Sequence, residues 1–138
     1  MQVKIKKLHP DAVIPTYATE GSACFDLYAA TKYENEDLTP VFTTGLAFEV
    51  PQDHVMLVFS RSGHGFKEGA SLINCVGVID SDYRGDVAVK MNKPISAGVG
   101  DRIAQAMIIP VQQVTFQVAD DLTETKRGQG GFGSTGVK

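Results

Sequence analysis

The chain crowds acidic side chains around one bend. The stretch NCVGVIDSDYRGD, residues 74–86, contains Tyr83, Arg84 and three aspartates, which are Asp80, Asp82 and Asp86. A turn needs only a glycine, an asparagine or one aspartate, so this composition predicts chemistry as well as a bend. A carboxylate beside phosphate-binding groups can activate a water molecule or lie next to a divalent cation.

The four arginines all lie in Gly- or Asp-rich breaks between apolar runs, at Arg61, Arg84, Arg102 and Arg127. One alternative is that these breaks are exposed turns, which carry charged residues in general. That alternative predicts lysines mixed with arginines in the breaks, but the nine lysines lie on more ordinary segments. Arginine favours bidentate contacts with phosphate and carboxylate groups. In SRSG, residues 60–63, a hydroxyl and a glycine N–H stand beside the guanidinium, a combination that indicates phosphate binding.

The C-terminal stretch RGQGGFGSTGVK, residues 127–138, holds five glycines, one phenylalanine and two hydroxyl side chains. It cannot bury enough apolar surface to order itself alone, so one interpretation is a frayed terminus. The other is an arm that wraps phosphate groups. Glycines let backbone N–H groups turn toward an anion, an arginine adds donors, and a phenylalanine offers a stacking face.

Short runs that alternate apolar and polar residues must position these groups. They include VKIKKL, LAFEV, HVMLVF, DVAVKM and RIAQAMIIPV, and VTFQV with Val114, Phe116 and Val118 on one face. This period of two, broken by Gly, Pro, Asn and Asp, predicts an all-β sandwich or barrel. The length of 138 residues predicts one domain. One helical turn is a candidate over residues 62–70, weakened by three glycines.

Charge and composition exclude several functional classes. The formal net charge of −3 lacks the basic field that general nucleic-acid binding needs. No apolar run approaches the roughly 18 residues of a membrane span, and the N-terminus shows no secretory segment. The chain has no P-loop motif and no helix after GVG at 98–100, which argues against a dinucleotide fold. Two lone cysteines, Cys24 and Cys75, predict reduced thiols and a cytoplasmic location.

Five segments resemble, in order, the five motifs of the trimeric dUTPase family (deoxyuridine triphosphate nucleotidohydrolase). They are SACFDLYA (22–29), SRSG (60–63), NCVGVIDSDYRG (74–85), GDRIAQ (100–105) and RGQGGFGSTG (127–136). The resemblance implies a jelly-roll-like β-barrel over residues 1–126 and a flexible arm over residues 127–138 that closes over the active site. It implies a homotrimer with active sites shared between subunits. The implied reaction is hydrolysis of dUTP to dUMP and pyrophosphate at the α-phosphorus, with Mg²⁺ on the triphosphate, which limits uracil in DNA and supplies dUMP for dTMP synthesis.

The resemblance also implies roles for individual residues. Asp80 would activate the attacking water, Asp26 would lie near the water shell of the metal, and Tyr83 would lie against the deoxyribose and exclude a 2′-hydroxyl. The other substrate-binding residues form three groups. The phosphates would be bound by Arg61, Ser62, Gly63 and Gln105, and the uracil by Asn74, Val78, Ile79 and Ala88, with Gly77 also at the substrate. The arm would contribute Arg127, Phe132, Gly133, Ser134 and Thr135.

The remaining polar residues of the motifs are interpreted as structural. Asp82 is predicted to form the turn and Asp86 to pair with an arginine. Asp101 and Arg102 are predicted to make interface or core ion pairs. The three histidines are expected to be structural or exposed rather than metal ligands, at His9, His54 and His64.

Two other functions stay open on the sequence. The related dCTP deaminases share the fold and much of the phosphate site, but they use a Glu and a second Arg where this chain has DSDYRG and RSGHG. Tyr83 and the Gly-rich tail favour a dUTPase. Viral members of the family act as regulatory protein-binding trimers, so a second binding role is a further alternative. The chain departs from the family pattern at Cys24, Ser60, His64 and Gly65, which affects local packing more than any assigned chemical group.

Overall fold

A computed structural model describes residues 1–36 and 38–136, and over those residues the chain forms ten strands and one short helix. The elements are β1 (Lys4–Lys7), β2 (Thr16–Tyr17), β3 (Phe25–Tyr28), β4 (Thr31–Glu34), β5 (Pro40–Thr43), β6 (Leu46–Glu49), β7 (His54–Phe59), α1 (Ser62–Glu68), β8 (Val76–Ile79), β9 (Ala88–Lys90) and β10 (Arg102–Pro110). The prediction of an all-β fold is confirmed. No helix in the described ranges has the length and apolar character needed to cross a membrane.

The strands form three antiparallel sheets. A five-stranded sheet has the order β2-β3-β10-β7-β8, a three-stranded sheet has the order β4-β5-β9, and β1 pairs with β6. In the largest sheet, Gln105 of β10 lies opposite Asp26 of β3 on one side and Phe59 of β7 on the other. This register brings the first, second and fourth sequence motifs to one place.

Alternation along β3 decides which side chains enter the core. Phe25 and Leu27 are buried, while Asp26 and Tyr28, between and beyond them, are only half-buried. Because successive side chains of a strand point to opposite faces, burying the two apolar residues turns Asp26 away from the core. The same core cluster includes Phe42 and Leu46 from the other two sheets and Met56 from β7 of the five-stranded sheet.

The candidate helical turn is present as α1, which begins directly after Arg61. It ends at Glu68, and the next residue, Gly69, caps it with a positive φ of 62°, the left-handed conformation that a glycine adopts without steric cost. The Gly69 N–H donates to the Gly65 carbonyl and the Ala70 N–H donates to the His64 carbonyl. This compact turn holds the SRSG segment at the end of β7.

The last strand ends at Pro110, and residues 111–136 carry neither helix nor strand. The strand expected over Val114, Phe116 and Val118 is therefore wrong for the isolated chain. Phe116 is 95% exposed and Val118 is 98% exposed. A strand needs a hydrogen-bonded neighbour, and the described part of this chain offers none to the segment. Residues 127–136 form successive tight turns, and residues 137 and 138 of the expected arm lie outside the described residues.

Candidate active site

Asp26 joins two arginines that are distant in sequence. Its Oδ1 lies 3.3 Å from Nε of Arg61, and its Oδ2 lies 3.2 Å from Nη1 of Arg102. The Asp26 side chain is only 13% exposed, so the carboxylate lies mostly beneath the two guanidinium groups. It fixes both groups at the surface, where their remaining N–H donors can meet an anion.

The register of the central sheet adds neutral donors to this cluster. Gln105 donates from Nε2 to the Ser60 carbonyl at 3.0 Å, which fixes the amide beside the Arg61 segment. Ser60, a departure from the family pattern, has a structural use here, because its hydroxyl oxygen accepts the Leu72 N–H at 2.9 Å. The sequence alone gave no signal for that bond.

These residues line a cavity of about 330 Å³, which we call the guanidinium pocket; its lining includes Cys24, Asp26, Arg61, Ser62, Arg102 and Gln105. Two guanidiniums outweigh one carboxylate, so the lining favours an anion. Burial and then the neighbouring Asp26 charge raise the pKa of the Cys24 thiol above its ordinary value, which keeps a further negative charge out of the pocket. The larger side chain at this departure is thus compatible with anion binding.

A second part of the candidate site is β8, which lies at the edge of the five-stranded sheet and pairs only with β7 among the described strands. An edge strand presents N–H and C=O groups on its free side. Gly77 packs closely against the neighbouring strand β7, since a Cβ at this position would lie 3.1 Å from Cβ of Val58. Asn74 turns its amide back to the Val76 carbonyl at 3.3 Å, and Val78 is exposed. This edge can pair with a planar polar ring.

Asp80 follows β8 directly and is exposed. It lines a groove of about 970 Å³ between the hairpin and the turn joining β6 to β7, with Glu49, Asp82 and Arg84 also in the lining. The Tyr83 N–H donates to the Asp80 carbonyl at 3.2 Å, and Asp82 lies exposed in the same turn, as predicted. Asp80 is therefore available to a water or a ligand.

Of the polar residues interpreted as structural, Arg102 forms an ion pair with Asp26, as predicted. Asp86 and Asp101 make hydrogen bonds instead in the described chain. Asp86 pairs with no arginine in the described chain; its Oδ1 accepts from the Thr44 hydroxyl and the Leu46 N–H, both at 3.3 Å. Asp101 accepts the Gly98 N–H at 2.8 Å and caps its own loop. The partners of Asp86 lie about 40 residues away and are not visible in a sequence pattern, whereas Asp101 bonds within its own loop, three residues away.

The histidines behave largely as expected. His54 is half-buried, with Nδ1 at 3.0 Å from the Gln52 carbonyl, and His9 lies near Asp11 at the surface. His64 of α1 is buried, and its Nδ1 has no hydrogen-bond partner among the residues the structure describes. These three do not cluster, and in the described ranges no three His, Cys, Asp or Glu residues come together as a metal site.

The single chain does not bring the whole candidate site together. Asp26, Arg61, Ser62 and Gln105 share the guanidinium pocket, whereas Asp80 lines the other groove, and the two cavities have no described lining residue in common. Ala88 is exposed at the start of β9. The tail residues lie outside both cavities and are exposed: Arg127, Phe132, Gly133, Ser134 and Thr135.

Comparison with known proteins places this arrangement in a family. A family model described as dUTPase matches residues 10–136. A deoxyuridine 5′-triphosphate nucleotidohydrolase of Dictyoglomus turgidum is 38% identical over 149 aligned positions, covering 99% of each chain. The protein of the same name from Nautilia profundicola is 42% identical, again over 99% of each chain.

Solved structures show the same fold. A variant of the Staphylococcus bacteriophage 80alpha dUTPase with dUpNHpp superposes with a TM-score of 0.85 at 23% identity, covering 99% of each chain. A dUTPase variant from phage phi11 of S. aureus, described with a structural Mg(II) ion, has a TM-score of 0.75 at 20% identity and covers 88% of this chain and 98% of its own. At these identities the match establishes a jelly-roll-like fold.

Proposed function

The chain belongs to the dUTPase family, and we propose that it is a dUTP diphosphatase that hydrolyses dUTP to dUMP and pyrophosphate. The observation that carries this proposal is the guanidinium pocket, in which Arg61, Ser62 and Gln105 surround Asp26 in the segments that resemble the family motifs. Its relatives of 38% and 42% identity are named as enzymes of this reaction over their whole length. A dCTP deaminase is disfavoured because those matches all carry the dUTPase name.

The guanidinium pocket would hold the triphosphate. Arg61 supplies fixed charge, Ser62 a hydroxyl, and Gly63 a backbone N–H at the start of α1. Gln105 is already oriented by its bond to Ser60. Donors fixed before substrate arrives stabilise developing negative charge without further reorganisation, which is the main way a protein accelerates phosphoryl chemistry.

The β8 edge would recognise the base. Asn74 before the strand, the backbone of Val78 and Ile79, and the facing strand near Ala88 would form the uracil pocket. Uracil presents an acceptor at O4 where cytosine presents a donor, so a site built around that hydrogen bond rejects cytosine by roughly 10⁴-fold or more. The exposed side chain of Val78 and the small Gly77 leave the edge accessible to a flat ring.

Asp80 would act as the general base. An exposed carboxylate at the end of the edge strand can accept a proton from a water placed in line with the α-phosphorus. The electron pair of that water then forms the new P–O bond, the bond to the bridging oxygen breaks, and pyrophosphate leaves. Positioning and charge neutralisation by Arg61 supply the rest of the acceleration.

We treat Mg²⁺ as part of the substrate, carried by the triphosphate. The donor set fits this role better than direct chelation, because the described residues hold no cluster of three candidate ligands. Asp26 is a single carboxylate that already neutralises two guanidiniums. It would therefore contact the ion only through water. Bound to the triphosphate, the ion supplies charge neutralisation.

A homotrimer would complete the site. The groove of Asp80 and the guanidinium pocket are separate in one chain, so a complete site requires a second copy. The exposed apolar face of Val114, Phe116 and Val118 also lacks a partner in the described chain, and an open apolar groove of about 460 Å³ lies between Ile5 and Ile108. Both features support burial against another subunit.

The Gly-rich arm of residues 127–138 would close over the bound nucleotide, with residues 1–126 as the folded body. Arg127 and the hydroxyls of Ser134 and Thr135 would reach the outer phosphates, and Phe132 would stack on the base. The positive φ values of Phe132 and Gly133 already give this segment tight turns. The two free cysteines, Cys24 and Cys75, support a reducing cytoplasmic location.

The test is pyrophosphate release from a panel of nucleotides, dUTP, dCTP, dTTP and UTP, with and without Mg²⁺. Release from dUTP alone, dependent on Mg²⁺, is the expected result. Ammonia from dCTP would instead identify a deaminase. Light scattering is expected to give about three times the subunit mass of 14.8 kDa, and a monomer with full activity would contradict the shared site.

A further inference from the structure

We propose that Gly85 and Asp86 are positioning residues that hold the Tyr83 ring in place and so set how strongly the site selects a deoxyribose over a ribose. The inference rests on the proposed function, in which Tyr83 lies against the sugar. It concerns two residues that touch no substrate and reach the sugar only through the tyrosine.

Gly85 leaves room for the ring. A Cβ built at Gly85 would lie 2.3 Å from Oη, 2.5 Å from Cζ and 3.0 Å from Cε2 of Tyr83, and these are its three nearest atoms. The Tyr83 ring therefore packs directly on the Gly85 backbone. The φ of Gly85 is not in the left-handed region, so the main obstacle to an alanine methyl group at this position is the tyrosine.

Asp86 anchors the tip of the ring. The Tyr83 hydroxyl donates to the Asp86 carbonyl at 3.0 Å. The Asp86 carboxylate accepts hydrogen bonds from Thr44 and Leu46. Two backbone bonds fix the neighbouring residue Val87: the Thr44 N–H donates to its carbonyl at 2.9 Å, and its own N–H donates to the Leu46 carbonyl at 3.0 Å. Hydrogen bonds to the turn between β5 and β6 thus hold the Asp86 carbonyl that accepts the Tyr83 hydroxyl in place.

The two contacts together leave part of the Tyr83 ring exposed. Tyr83 is 43% exposed, with one side against Gly85 and its hydroxyl held at Asp86. Rejecting a 2′-hydroxyl is a steric task, and it fails if the blocking group can move aside. A ring displaced by an added methyl group is expected to admit UTP, while uracil recognition at β8 stays intact.

The readout is the ratio of kcat/KM for dUTP to kcat/KM for UTP, which a loss of folded protein would not change. Gly85→Ala is expected to lower this ratio at least tenfold, chiefly by raising activity on UTP. Gly98→Ala is the matched control, because its new Cβ meets only Asp101 Oδ2 at an ordinary 3.9 Å; its ratio should equal that of the wild type.

A second pair of variants addresses Asp86. Asp86→Asn keeps an oxygen acceptor for Thr44 and Leu46 and is expected to retain the ratio, whereas Asp86→Ala removes it and is expected to lower the ratio. If Gly85→Ala folds poorly, the ratios of kcat/KM measured for Asp86→Ala and Asp86→Asn still test whether the position of the Tyr83 ring sets the selection of the sugar. Equal ratios for those two variants would overturn the role of Asp86.

Whether Gly85 acts through Tyr83 is tested by introducing Gly85→Ala into a Tyr83→Ala variant. If it does, Gly85→Ala causes no further change in the ratio of kcat/KM in that variant. An unchanged ratio in the single variant, or an equal fall in both backgrounds, would overturn the inference. A wild type that does not hydrolyse dUTP would instead refute the proposed function, so the two failures are distinguishable.

Discussion

The Nε of Arg61 lies 3.3 Å from Oδ1 of Asp26. This contact joins the segment after β7 to β3, and the second carboxylate oxygen extends it to Arg102 of β10. One mostly buried acid therefore orients two cations that come from different strands. Its position explains why a carboxylate lies in a pocket suited to anions: without it the two guanidiniums would repel each other.

Asp26→Asn is expected to lower the free energy of unfolding by about 1–3 kcal/mol. That range lies between the cost of breaking a buried pair and the small value of an exposed one, because Arg61 and Arg102 are partly exposed. Urea denaturation at fixed subunit concentration measures the change. Asp120→Asn, at an exposed acid in the C-terminal segment, is the control, and equal stability of both variants would show that the bridge contributes nothing.

Asp80→Asn is expected to reduce turnover of dUTP by about 10²–10⁴-fold, the usual contribution of a general base. Affinity for a non-hydrolysable dUTP analogue should stay near that of the wild type, since asparagine keeps the size of the side chain. Asp82→Asn, two residues along the same exposed turn, should retain turnover. Near-normal pyrophosphate release by Asp80→Asn would remove this residue from the chemistry.

Local patterns predicted much of the fold. Alternation placed five of the ten strands, β1, β6, β7, β9 and β10, since period two and burial are encoded within a few residues. The register of β10 between β3 and β7 was not predictable, because it depends on pairing across about 75–80 residues of sequence for β3 and about 50 for β7. The contacts of Asp26 with Arg61 and Arg102 follow from that register.

The errors have a shared physical origin. Val114–Val118 has the pattern of a strand but no partner in the described chain, and Asp86 bonds to Thr44 and Leu46 rather than to an arginine. Pattern and charge report what a segment favours, whereas its partner is set by the tertiary or quaternary arrangement. The motif resemblance, by contrast, named residues such as Gln105 that do lie in the guanidinium pocket.

Removal of residues 127–138 is expected to leave the melting temperature and the assembly unchanged. The turns that begin at Arg127 and Gly131 are closed by hydrogen bonds within the tail itself, and the Gly128 N–H donates to Thr125 in the exposed segment after β10. Truncation therefore removes no hydrogen bond between the described strands. Turnover should fall by about 10²-fold or more, the scale of lost positioning and charge neutralisation. A truncated protein with the full rate of pyrophosphate release would separate the arm from the mechanism.

Glu68→Gln is expected to reduce stability near neutral pH only. The Ser96 N–H donates to Glu68 Oε2 at 2.7 Å and holds the pKa of this carboxyl below its ordinary 4.5. Because the folded-state pKa is lower than the unfolded one, the stabilisation is present above about pH 4.5 and is lost as the pH falls through the folded value. The melting temperatures of wild type and variant should therefore converge in acid, and a constant difference from pH 7 to pH 3 would contradict this.

His64→Leu is expected to stabilise the protein by about 1–3 kcal/mol, the usual cost of an unsatisfied buried polar group. His64 is buried in α1, and its Nδ1 has no partner in the described ranges. Leucine is apolar, of similar size and a better helix former. His54→Leu is the matched control, because it removes a bond between Nδ1 and the Gln52 carbonyl and should be neutral or destabilising. Urea denaturation of both variants decides the matter: a loss of stability in His64→Leu would mean that the ring nitrogen is engaged in the assembled protein.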